Sequence, residues 1–197
     1  SLPGSRRYGR YALVGFAGFI VLTALLHILR PDFDPARHQL SEYAIGPYGN
    51  LFSIALMSLG AGSLALWAGL SAALRPTRTS RIGVGLLLVW SMGALVAGVF
   101  PTDPGGIPVS VNGIIHGLAA SIAFFSAVIG AVVLAIHLRT DPHWAAVRWL
   151  MLVLAVLAMF LLGFLGLPDA LRGAGERVFV TAVVAWLCIV AWHLDRA

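Results

Sequence analysis

Residues 113–138 read Gly-Ile-Ile-His-Gly-Leu-Ala-Ala-Ser-Ile-Ala-Phe-Phe-Ser-Ala-Val-Ile-Gly-Ala-Val-Val-Leu-Ala-Ile-His-Leu, without one Asp, Glu or Arg. About 20 helical residues suffice to cross the hydrocarbon core of a bilayer. In lipid every backbone N–H and C=O needs a partner within the segment, so a run of this kind is a helix. Working outward, five more apolar runs lie at 11–29, 51–74, 82–100, 149–167 and 178–194. The chain is 59% hydrophobic and 11% charged, against roughly 25% charged in an ordinary globular protein. Composition therefore excludes a soluble globule and a disordered chain. The expectation is an all-α membrane protein, one domain over 1–197, with six transmembrane helices. Almost no chain is left for a soluble domain.

All 13 basic residues are arginine. The net charge of +5 is scattered over short loops rather than clustered among aromatics, so nucleic acid is not an expected partner. Arg6, Arg7, Arg10, Arg75, Arg78, Arg81, Arg139, Arg148 and Arg196 fall on one side of a six-helix layout. Arg30, Arg37, Arg172 and Arg177 fall on the other. By the positive-inside rule, nine against four places both termini in the cytoplasm, in a multi-pass protein of the cell membrane. Loops 30–50, 101–112 and 168–177 are then external, and they hold six of the eight acids. No cleavable signal peptide is expected, because 11–29 is long enough to span and lacks a small-x-small exit. Cys188 stands alone and has no intrachain disulfide partner. Gly113-x-x-x-Gly117 fits a close approach of helices.

The external loops carry the chemistry-bearing side chains. The first is the longest and contains His38, Ser41, Glu42 and Tyr43. The second holds Asp103 and leads through Asn112 to His116, while the third ends in Glu176-Arg177. Ionisable groups near lipid are costly and tend to face the bundle interior in pairs. His38, Ser41, Glu42, Asp103 and His116 are the candidate catalytic residues; Tyr43, Asn112, Glu176 and Arg177 are candidate substrate contacts. His38, Asp103 and His116 are the candidate ligands of a divalent metal such as zinc, although no His-Glu-x-x-His spacing is present. A plainer reading stands beside this one. Ser41 caps a helical turn, Glu42 sits at its positive end, and Glu176 with Arg177 joins a structural ion-pair network.

His38-Gln-Leu-Ser-Glu-Tyr-Ala-Ile-Gly-Pro-Tyr-Gly-Asn-Leu-Phe52, then Phe100-Pro-Thr-Asp103, then Asn112-Gly-Ile-Ile-His116 resemble the bacterial domain-of-unknown-function 998 family, over almost the whole chain. The stretch from Leu40 to Phe52 also looks like a motif of a larger superfamily. That superfamily holds the DRAM and Sfk-type membrane proteins and a factor for GPI-anchor lipid remodelling. The resemblance implies a six-helix bundle with an extracytoplasmic motif and a loose link to lipid handling. The functional expectation is an external polar pocket that binds or acts on a lipid or similar amphiphile, by hydrolysis or head-group transfer with or without a metal. The alternative is a non-catalytic module that senses lipid or assembles with other proteins. Oligomeric state is not legible in the sequence.

Overall fold

The computed structural model describes residues 5–105, 108–139 and 141–196, and these contain six long helices. They are α1 (Ser5–Leu29), α2 (Gly49–Ala73), α3 (Arg78–Val99), α4 (Val111–Leu138), α5 (Arg148–Leu161) and α6 (Asp169–Arg196). Each is long and apolar enough to cross a membrane, α5 when continued by the 3₁₀ segment Leu162–Gly166. Successive helices pack against each other and α6 closes back onto α1, making a ring. Both described ends of the chain lie at one end of this ring. The loops after α1, α3 and α5 lie at the other, called the loop end below.

The flank of the ring is apolar. Val14, Ile28, Leu118 and Phe160 are each at least 60% exposed, which in water would be a large unpartnered patch. In lipid it is the expected surface. The interior is held by small residues and a few aromatics. A Cβ on Gly15 would lie 2.6 Å from the Gly62 Cα, so α1 and α2 touch backbone to backbone, as small residues permit in membrane bundles. Phe124, Phe164 and Phe179 form a three-ring cluster joining α4, the 3₁₀ segment and α6. Trp90 on α3 donates its indole N–H to the Ser63 hydroxyl on α2 at 3.0 Å.

Helix six departs from the sequence expectation. Residues 168–177 are expected as a loop, yet the helix starts at Asp169. Pro168 sets the boundary and Asp169 complements the positive end of the dipole. Gly173 within this stretch has a structural use. A Cβ on Gly173 would lie 2.8 Å from the Pro35 carbonyl oxygen and on top of that of His38. Gly173 therefore lets the first loop lie directly on α6. Gly113-x-x-x-Gly117 is likewise not a helix-packing pair: Gly113 faces the Asp103 carboxylate and Gly117 faces open space.

Candidate functional site

The first loop folds back into the loop end. Its turn Leu40–Ala44 is a single 3₁₀ helix, and Leu40 and Tyr43 are 5% and 1% exposed. Apolar side chains thus turn inward, while His38, Ser41 and Glu42 stay half-buried at the edge. The Glu42 Oε1 accepts from the Gln39 N–H at 2.8 Å, closing a capping box around the turn. That is the plainer reading of Glu42, with Gln39 rather than Ser41 at the cap position.

Two arginines fasten the loop. Arg30 is buried, pairs with Asp32 at 2.7 Å, and donates to the carbonyls of Ile45 and Pro47 at 2.7 and 3.2 Å. The hydrogen bond to Asp32 holds the guanidinium in its charged form, and Arg30 in return holds the Asp32 carboxyl below its ordinary range. Gly46 beside it adopts φ +73°, a left-handed conformation that glycine takes without strain. Arg177, two turns inside α6, donates to the carbonyls of Pro35, His38 and Gly173 at 2.9, 2.6 and 3.0 Å. Its Nε donates to His27 Nε2 at 2.9 Å. His27 Nδ1 faces the Thr23 carbonyl at 2.7 Å, so the ring carries its proton on Nδ1 and accepts on Nε2. Tyr43 lies against the same group, with Arg177 5.7 Å from its ring centre. Arg177 and Tyr43 therefore secure the loop, and the expected ion pair of Arg177 with an acid is replaced by carbonyls and an imidazole.

The motif Phe100-Pro-Thr-Asp103 joins α3 to α4. His116 is 5% exposed, and its Nδ1 lies 3.1 and 2.8 Å from the carbonyls of Ala97 and Phe100. Only an N–H serves two carbonyls, so the proton sits on Nδ1. These carbonyls belong to the last turn of α3, where intrahelical donors run out. Asp103 accepts from the Ser110 N–H and hydroxyl, both at 2.7 Å, and Ser110 caps α4 through the Gly113 N–H. Asn112 is exposed on the first turn of α4.

Below the docked loop lies a cavity of about 260 Å³. Its polar wall is Gln39, Ser41, Thr102, His116 and Glu176; its apolar wall includes Phe19, Phe52, Trp90 and Phe124. Glu176 is 5% exposed, and its Oε2 accepts from the Leu40 N–H at 2.6 Å. With His116 Nδ1 spent on α3, Nε2 is the ring nitrogen left for a guest. Gln39 and Thr102, which the sequence reading does not single out, stand inside the quoted motifs and line the cavity.

The candidate residues thus divide. Ser41, His116 and Glu176 line the cavity. His38 and Glu42 line a separate groove of about 450 Å³ with Arg37, Asp169 and Arg172, and the His38 ring packs on Phe33. Asp103 serves the start of α4. The expected metal set of His38, Asp103 and His116 does not form: among the described residues no three His, Cys, Asp or Glu side chains are grouped to hold an ion. The reason is local, because the Asp103 oxygens and His116 Nδ1 are committed to different helix ends, and His38 lies in the other groove.

No curated protein and no solved structure matches this chain. The model of one family does match, over residues 13–193, and its description is "Protein of unknown function (DUF998)". A match over nearly all of the chain takes in all three motifs of the loop end, and the chain belongs to that family.

Proposed function

We propose that the protein binds a membrane amphiphile in the cavity beneath its first loop, with the polar head toward Glu176 and His116. The carrying observation is the segregation of that cavity. Apart from Ser121 at the mouth, the polar groups gather on the side toward the docked loop, and aromatic and aliphatic groups fill the side toward the bundle centre. A volume near 260 Å³, just under the roughly 300–1,000 Å³ of small-molecule sites, fits one narrow chain. Three lining residues, Gly117, Ser121 and Leu165, are also exposed on the flank. The mouth therefore opens sideways, between α4 and the 3₁₀ segment after α5, where lipid is the solvent. The resemblance of Leu40–Phe52 to a motif of a superfamily with a loose link to lipid handling is in keeping with this reading.

Placement in the cell membrane with cytoplasmic termini belongs to this reading and rests on the arginine asymmetry. The head would then lie in the extracytoplasmic leaflet. Hydrolysis or head-group transfer is the enzymatic version. In it, Ser41 is the hydroxyl, and His116 Nε2 and the Glu176 carboxylate are the proton acceptors available at the same wall.

The test is photo-crosslinking of the protein in nanodiscs with diazirine-bearing hexadecyl alcohol, amine and sulfonate. Labelling of peptides from α2, α3 and α4 by at least one probe is expected, with loss in Ala120→Trp, which fills the cavity from α4. Labelling confined to flank residues by all three probes would overturn the reading.

A further inference from the structure

The cavity's charge pattern narrows its guest beyond the amphiphile reading, on which this step rests. Thirteen arginines supply every positive charge of the chain apart from histidine and a chain terminus, and none lines the cavity. The two arginines that fasten the first loop above the cavity are both turned to other work. Arg30 is spent on Asp32 and on the carbonyls that end the first loop. Arg177 is spent on three carbonyls and His27, and lines the groove between α1 and α6 instead. Glu176 does line the cavity. It has one oxygen on the Leu40 N–H, and a carboxyl group has capacity for several more donors. His116 adds a second acceptor, because its proton is fixed on Nδ1 by the end of α3.

We infer that the cavity takes a single-chain amphiphile whose head donates hydrogen bonds and carries no negative charge, an alcohol or an amine. An anionic head, such as a phosphate or sulfonate, would face the Glu176 carboxyl and the bare His116 Nε2 at the polar wall, and no cation lines the cavity to pair with it. Burying such a charge unpaired is strongly unfavourable. A hydroxyl or ammonium head instead gives its protons to Glu176 and to His116 Nε2, while Gln39, Ser41 and Thr102 accept or donate as the head requires. Choice by unpaired groups is the stronger form of selectivity, because the wrong head leaves buried polar atoms without partners.

The same three hexadecyl probes separate the outcomes, now compared by competition for cavity labelling at neutral pH. The alcohol, the amine or both should outcompete the sulfonate by about tenfold or more, equivalent to roughly 1.4 kcal/mol. If the amine leads, the head is held by charge on Glu176; if the alcohol leads, by neutral hydrogen bonds. Glu176→Gln keeps an acceptor for the Leu40 N–H and should cut the preference over the sulfonate several-fold. Asp169→Asn, which removes an exposed acid outside the cavity, should leave it unchanged. A sulfonate that labels the cavity as well as the other two overturns the inference while leaving amphiphile binding intact. So does a preference that survives unchanged in a folded Glu176→Gln protein. Failure of all three probes removes the underlying reading as well.

Discussion

The backbone N–H of Leu40 donates to Oε2 of Glu176 at 2.6 Å, joining the first loop to the sixth helix across 136 positions. The bond does two things. It satisfies a donor at the start of the 3₁₀ turn, where no intrahelical acceptor exists, and it holds the roof of the cavity over Phe52 and Trp90. Arg177, the next residue, holds the same loop by Pro35 and His38. Adjacent helical residues point in different directions, so Glu176 reaches into the cavity while Arg177 reaches along its outside.

Removal of that acceptor is the first prediction. Glu176→Leu strands the buried Leu40 N–H and should cost about 1–3 kcal/mol, read as a lower thermal midpoint in detergent. Tryptic cleavage after Arg37 should quicken, because that exposed residue is in the same loop. Glu176→Gln should retain most of the stability. Equal losses in the two variants would show that charge rather than the hydrogen bond holds the loop.

Six spans are legible in the sequence because long apolar runs have one solution in lipid. The beginning of α6 is not. Asp169 to Arg177 is polar and glycine-containing, which hydropathy reads as loop, while the helix is stabilised by contact with residues 35–38 far away in sequence. The candidate residues share the loop end of the bundle, and sequence gathers them because ionisable groups flanking apolar helices are conspicuous. Their partition is hidden. Whether His116 spends its proton on Asp103 or on the carbonyls of Ala97 and Phe100 depends on how α3 ends, which no spacing states. Arg30 also goes unread. Its neighbours Pro31 and Asp32 suggest a turn, and nothing local reveals that Ile45 and Pro47 will come to its side.

His116 is the second prediction. His116→Ala frees two carbonyls at the end of α3 and should lower stability by about 1–3 kcal/mol. Asp103→Ala should do so too, by uncapping Ser110 and the start of α4. The two losses should be unequal in one respect: only His116→Ala should also reduce cavity labelling by the hexadecyl probes. Equal effects on labelling would tie Asp103 to the cavity and contradict the partition.

The third prediction concerns pH. Asp32 is bound to Arg30 in the folded state, which lowers its carboxyl pKa. The stabilisation is present above the ordinary Asp value of 3.8 and is lost as pH falls through the lower folded value. Asp32 is largely exposed, so the effect is small. Wild type should lose more thermal stability between about pH 5 and pH 3 than Asp32→Asn, which has no proton to gain there. Parallel losses in both proteins would assign the acid sensitivity elsewhere.

Orientation gives the fourth. In a Cys188→Ser background, Val109→Cys in intact cells should react with a membrane-impermeant maleimide, and Arg78→Cys should react only after permeabilisation. Both positions are exposed at opposite ends of the bundle. The reverse pattern would invert the arginine argument and move the cavity to the cytoplasmic leaflet.

The last prediction is kinetic. If guests enter from the bilayer, the mouth is bordered by Gly117 and Ser121 on α4 and by Leu165 on the 3₁₀ segment. That segment packs on α6 and meets α4 through the Phe164 ring, 6.0 Å from that of Phe124. Gly117, Gly163 and Gly166 all face open space, with no atom within 4 Å of where a Cβ would stand. A large side chain is therefore tolerated at Gly117 and would stand in the opening. Gly117→Trp should slow labelling of the cavity several-fold while reaching the same plateau and leaving the thermal midpoint unchanged. Gly85→Trp, placed in equally open space on α3 away from the cavity, is the control and should load at the wild-type rate. Loading through the aqueous end would instead leave Gly117→Trp as fast as wild type, and substitution of the first loop would then set the rate.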